Sequence, residues 1–217
     1  MIEVLPNAIV VDGVGSSETG AQMHHMSMSG TVSTGTFNAG PDTFVAAEDL
    51  ASILAPGHDG MGWLAQRGYV PIGYKGDAAK TAATFPVIDS VRYAVPGDRA
   101  RHRADGRIEL LGRDSVTINS GGEKIFVEEV ETAIASHPAV ADVVVTGRPS
   151  ERWGQEVVAV VALAEDARAD ASELIDHAAK TLARYKVPKA IVFRAAIERS
   201  PSGKADYRWA REQALND

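Results

Sequence analysis

The segment Arg107-Ile108-Glu109-Leu110-Leu111-Gly112-Arg113-Asp114-Ser115-Val116-Thr117-Ile118-Asn119-Ser120-Gly121-Gly122-Glu123-Lys124-Ile125-Phe126 decides how this chain is organised. Arg107 to Leu111 reads as a strand, and Gly112 marks a break. Val116 to Asn119 and Glu123 to Phe126 flank Ser120-Gly121-Gly122, the signal of a hairpin. Upstream, 15 of the 20 glycines fall at or before Gly112, among short extended runs: Ala8 to Val11, Phe44 to Ala46, Gly62 to Ala65 and Val91 to Val95. Met23 to Gly40, rich in Ser, Thr, Gly and Met, shows neither helical nor strand period and is expected to be a loop system.

Downstream the texture changes. Val127, Val130 and Ile134 have helical spacing and end at His137-Pro138. Val143 to Thr146 and Val157 to Leu163 are nearly continuous β-branched runs, as buried strands are. Asp170 or Ser172 can cap a helix running to about Arg184, Ile191 to Phe193 is a strand, and Tyr207 to Leu215 is a final helix. The expected fold class is therefore α+β, with the chain from Arg107 onward forming a small sheet covered by helices.

Composition narrows the function. The 217 residues are enough for one large domain or two small ones. With 29 acidic and 22 basic residues the net charge is −7, which disfavours a nucleic-acid partner. The chain has no cysteine, which excludes disulfides, thiolate metal sites and cysteine nucleophiles. No transmembrane segment and no signal peptide is read, so the expected location is cytoplasmic. His24-His25 among Met23, Met26 and Met28 hints at a soft-metal site, but no further ligands support it, and a loop is the preferred reading.

Four short motifs carry the chemistry, each weak alone. Gly15-Ser16-Ser17-Glu18 follows a strand: small residues let backbone N–H groups approach a phosphate, and one carboxylate can hold Mg²⁺ beside it. Pro96-Gly97-Asp98 places a carboxylate where it can accept hydrogen bonds from a vicinal diol. Gly112-Arg113-Asp114 offers a donor fork ahead of the Gly121-Gly122 hairpin. Pro201-Ser202-Gly203-Lys204 delivers one ammonium near the chain end, able to meet charge that develops on a phosphoryl group.

In this order the four motifs resemble the C-terminal portion of the adenylate-forming (AMP-binding) superfamily, and within it bacterial fatty-acyl-CoA synthetases. The segments Gly68 to Tyr74 and Lys80 to Phe85 are similar to the family as well, and the likeness runs from about Pro6 to Leu215. It implies ATP, CoA and a fatty or other carboxylic acid as substrates, AMP and Mg²⁺ as ligands, and a two-step reaction through acyl-AMP to acyl-CoA. It further implies that Lys204 and Glu18 are catalytic and that Glu18 binds the metal. Gly15, Ser16, Ser17, Asp98 and Arg113 would bind nucleotide, and Gly121 and Gly122 would line the CoA tunnel. Residues 1–112 would be the last piece of the large, mostly β N-terminal domain, and residues 113–217 a mobile C-terminal domain hinged at Asp114.

The family's Ser/Thr/Gly-rich phosphate loop and acyl pocket are not read in this sequence. The expectation is an N-terminally truncated paralogue, inactive alone, with exposed apolar surface on residues 1–112 and a possible protein partner supplying the missing lobe. Two alternatives stand beside it: a non-catalytic nucleotide- or partner-binding module, and a fragment of an amino-acid-activating adenylation domain.

Overall fold

The computed structural model describes residues 9–27 and 35–216. Ala8, Met28 and the rest of residues 1–8 and 28–34 lie outside them, with the readings made there. The described chain divides into two compact units, one up to Leu111 and one from Gly112 onward. The chain is α+β as expected, the first unit mostly strand and the second a sheet covered by helices.

The first unit is mostly β. Its strands are β1 (Val10–Ser16), β2 (Gly20–Ser27), β3 (Thr36–Asn38), β4 (Thr43–Ala46) and β5 (Gly62–Arg67); after helix α1 (Ala78–Thr84) come β6 (Val87–Ile88), β7 (Val91–Ala94), β8 (Asp98–His102) and β9 (Arg107–Arg113). They pair in the order β1-β2-β3-β9-β8-β5-β7-β6, with β4 added to β5. Alternation along β4 and β5 feeds two cores. Val45 and Leu64 join Met23, Phe37 and Ile108 on one side, while Ala46 and Ala65 join Ile88 and Tyr93 on the other.

Three readings of this unit need correction. Met23 to Ser27 is not loop but part of β2, paired antiparallel to β1. Two consecutive residues there, Gln22 and Met23, are buried. A register shift at Val14/Gly15 produces this break in the alternation, and it removes the period-2 signal. Thr36–Asn38 is also a strand, and α1 is a helix without sequence signal, because its residues are small and mostly exposed and form no apolar stripe. Large apolar side chains remain exposed: Val11 and Met26, register partners on the hairpin, and Tyr69 and Ile72 in the loop after β5.

The second unit follows a 3-10 turn (Asp114–Val116) with β10 (Ile118–Ser120), β11 (Glu123–Ile125), α2 (Val127–Ala135), β12 (Val140–Ser150), β13 (Gly154–Leu163), α3 (Ala171–Ala179), β14 (Ala190–Phe193) and α4 (Tyr207–Leu215). β13 is the centre of the sheet: β12 pairs along one edge, β10 and the parallel β14 along the other. Val143, Val145, Val157, Ala159 and Val161 face α2 and α3 through Val130, Ile134 and Leu174. Val144, Val158, Val160 and Val192 face α4 through Ala210 and Ala214. Burial on both faces accounts for the uninterrupted β-branched runs.

Caps set the helix starts. The Asp170 carboxylate accepts the Glu173 N–H at 2.9 Å and starts α3, which ends at Ala179, short of Arg184. Asp206 accepts the N–H groups of Arg208 and Trp209, both at 3.0 Å, and starts α4. Asp206→Ala is expected to lower the stability of this unit by about 1 kcal/mol, read as a shifted urea midpoint with unchanged m. A midpoint equal to that of the parent chain would show that the cap contributes nothing.

Candidate active-site residues

Glu18 is held by the hairpin that joins β1 to β2. The turn closes through Thr19 N–H to Ser16 O at 3.3 Å, while the Ser16 N–H donates to Thr19 Oγ1 at 3.0 Å and the Glu18 N–H to Ser16 Oγ at 3.1 Å. A side chain at Gly15 would collide with the Gly20 carbonyl, so the close crossing of the two strands requires glycine. Residues 13–17 and 20–24 line an open groove of about 570 Å³. Gln22 lies in that lining, and its side-chain amide is buried with no partner among the described residues.

The Tyr74 hydroxyl donates to Glu18 Oε1 at 2.5 Å from 56 residues away. This bond, above all, holds the Glu18 carboxyl below its ordinary range and raises the Tyr74 phenol. Tyr74 is itself fixed. Its N–H donates to Thr81 Oγ1 at 2.9 Å, and the Lys80 ammonium lies 4.0 Å from its ring centroid. Sequence reasoning gave Tyr74 no role; a tyrosine between glycines carries no spacing signal that points to a carboxylate so far away.

Asp98, half-buried, opens β8; the order of the sheet puts β2, β3 and β9 between that strand and β1. The structure therefore joins Gly15, Ser16, Ser17 and Glu18 in one turn and puts Asp98 on a different strand of the same unit.

In the second unit, Arg113 and Asp114 are exposed where β9 passes into the 3-10 turn. The Arg113 N–H donates to Glu128 Oε1 at 3.2 Å, and the Thr117 hydroxyl donates to the Arg113 carbonyl at 3.0 Å. Gly121, at φ +60°, donates its N–H to the Trp153 carbonyl at 2.8 Å and lies under the indole. A Cβ on Gly121 would come within 2.9 Å of Trp153 Cε3, so the glycine is what lets the ring lie over the hairpin. Trp153 is partly exposed, with the Arg152 guanidinium 4.6 Å from its ring.

Lys204 is exposed on the turn between β14 and α4. The backbone there closes on itself: Ser200 N–H to Lys204 O at 2.8 Å, Gly203 N–H to Ser200 O at 2.8 Å, and Lys204 N–H to Ser200 Oγ at 3.2 Å. The Lys204 ammonium has no hydrogen-bond or ion-pair partner among the described residues, so it stays available to a ligand anion.

Behind that turn lies a group of charges absent from the sequence reading. Glu131 accepts the Val145 N–H at 2.9 Å and a bond from the Tyr207 hydroxyl. Burial pushes its carboxyl up to about 7, and burial together with the Glu131 charge raises the Tyr207 phenol. Arg199 forks onto Asp142 through Nε at 2.8 Å and Nη2 at 2.5 Å, which keeps the Asp142 carboxyl low.

Known proteins resemble this chain in part of their length. Residues 129–204 match the AMP-binding enzyme C-terminal domain. The whole chain is 86% identical to part of the medium-chain acyl-CoA ligase Mig of Mycobacterium avium, covering 39% of that protein. It is 44% identical over 98% of its length to the 3-oxocholest-4-en-26-oate–CoA ligase of Rhodococcus rhodochrous, covering 38% of it. Among solved structures it is similar to ATP-bound MatB from Rhodopseudomonas palustris, with TM-score 0.79 and 25% identity over 94% of this chain and 40% of that one. The chain thus spans about two-fifths of the length of the relatives it matches. It carries the AMP-binding enzyme C-terminal domain at residues 129–204, and along its whole length it is similar to part of proteins named as acyl-CoA ligases.

Proposed function

We propose that this chain supplies the Lys204 turn, the Gly121-Gly122 hairpin and the Glu18 hairpin of an ATP-dependent ligase that joins a medium-chain fatty acid to CoA, and that it makes no acyl-CoA alone. The observation that carries this reading is the Lys204 ammonium, without a partner among the described residues and presented by a hydrogen-bonded turn. In acyl-AMP formation the carboxylate attacks the α-phosphate of ATP and pyrophosphate leaves; negative charge concentrates around the α-phosphate in the transition state, and a pre-positioned cation there lowers the barrier.

Glu18 fits the magnesium that such a reaction needs. Its carboxyl is kept ionised by Tyr74, and the described residues contain no cluster of three metal-ligating side chains. A single carboxylate suits Mg²⁺, which retains several waters and takes further oxygens from phosphates. The ion would neutralise phosphate charge. Ser16 and Ser17 would supply hydroxyls beside it, Asp98 would accept from the ribose diol, and Arg113 would be a nucleotide-binding donor.

For the second step, Gly121 and Gly122 would line the pantetheine path, with the open space above Gly122 rather than Gly121, which Trp153 covers, and Asp114 in an exposed turn would be the pivot between steps. The exposed Val11, Met26, Tyr69 and Ile72 suit apolar contact with a complementary polypeptide. They also favour a second reading, that of a partner-binding module without chemistry.

Fatty-acid-dependent ATP–pyrophosphate exchange separates the two. The purified chain alone is expected to give none, and adding the N-terminal three-fifths of a close relative such as Mig is expected to establish it. Robust exchange by the chain alone would overturn the proposed dependence. No exchange in a mixture shown by sedimentation to form a complex would favour the module.

A further inference from the structure

The Lys204 turn is bolted to the sheet by one side chain. The Arg199 guanidinium points two N–H groups at the Asp142 carboxylate on β12, at 2.8 and 2.5 Å, and a third at the Gly203 carbonyl, at 3.2 Å. Arg199 also bridges to Ala205 across the base of the turn. Asp142 lies where the β12–β13 register shifts, and its carboxylate also accepts the Val143 N–H at 2.8 Å. Both ends of the clamp are therefore held: one by the strand, the other by the turn it grips.

We propose that Arg199 is a positioning residue, whose fork between Asp142 and the Gly203 carbonyl fixes the turn so that Lys204 is presented in one place. The catalytic consequence rests on the function proposed above; the clamp itself does not. A planar guanidinium makes three directed bonds at once, which a lysine ammonium in the same place cannot reproduce in parallel. Geometry matters at such a site because displacing a catalytic group by about 1 Å costs on the order of 10²-fold in rate. The other ionisable groups facing Arg199 are Glu131 on α2 and Tyr207 on α4.

The test uses the whole chain and reads amide hydrogen exchange at Ser200, Gly203 and Lys204, whose N–H groups close the turn. Arg199→Ala is expected to speed exchange at these three amides by about 10-fold while the β13 amides of residues 158–161 stay protected. Arg199→Lys should restore protection only in part. Should Arg199→Ala also loosen β13, Asp142→Asn, which keeps the size of the side chain, takes its place with the same expectation. Protection at the turn unchanged in Arg199→Ala or Asp142→Asn would overturn the proposal.

In a complemented ligase, Arg199→Ala should lower kcat for adenylation by about 10-fold with KM for ATP unchanged, as expected when an interaction acts only in the transition state. A raised KM with unchanged kcat would count against positioning. If the complemented parent shows no exchange, the proposed function fails while the clamp stands or falls on the amide data alone.

Discussion

Lys204→Ala, in this chain combined with the missing part of the ligase, is expected to slow fatty-acid-dependent ATP–pyrophosphate exchange by about 10²–10³-fold with little change in KM. The reasoning is electrostatic. Lys204 is exposed and its ammonium has no ion-pair partner among the described residues, so its removal disturbs no packing and the loss falls on the chemistry. The turn closes through backbone and Ser200 hydroxyl bonds that alanine keeps. Thermal unfolding of the variant should therefore match that of the parent. Transfer of an acyl group from pre-formed acyl-AMP to CoA should survive, since the hairpin proposed for that step lies elsewhere, at Gly121-Gly122. Equal loss in both half-reactions would sink the assignment.

The second large effect concerns Glu131. Its carboxyl titrates at about 7 in the folded chain, against 4.5 for the ordinary side chain, because burial disfavours the charge. The folded state therefore holds a proton that the unfolded state releases. Stability falls as pH rises from about 4.5 to 7, and above that the ionised group costs about 1–3 kcal/mol. Glu131→Gln keeps an acceptor for the Val145 N–H and removes the charge. Near pH 8 it should stabilise the second unit by an amount of that order, while near pH 4 it should change almost nothing. Urea unfolding at the two pH values measures both. Equal effects at both values, or destabilisation near pH 8, would show that the carboxyl is ionised without penalty.

Helices were legible where the period is strong and one face is apolar. α2 follows from Val127, Val130 and Ile134, which lie on its buried side. The β-branched runs of β12 and β13 were legible for the opposite reason, since no face is left polar. β2 was not, because its buried pair Gln22-Met23 breaks alternation at the shifted register and its other large apolar residue, Met26, is exposed.

The candidate site was legible as a set of ordered motifs, since each is a local turn with its own chemistry. Tyr74 on Glu18 and Arg199 on Asp142 were invisible: each joins residues 56 or 57 positions apart that no local pattern couples. Long-range polar pairs are fixed by the packing of elements between them, and only a three-dimensional structure reports that.

The parallel pairing of β14 with β13 has a consequence for synthesis. During translation, Asp142 on β12 emerges 57 residues ahead of Arg199, and the edge of β13 that receives β14 at Val158–Val161 stays open until Phe193 has left the ribosome. An open edge strand invites pairing with other nascent chains. The Lys204 turn and its Arg199 anchor emerge later still, after the whole of β14. Arg199 therefore reaches Asp142 only when the strand that covers this edge is already available to pair.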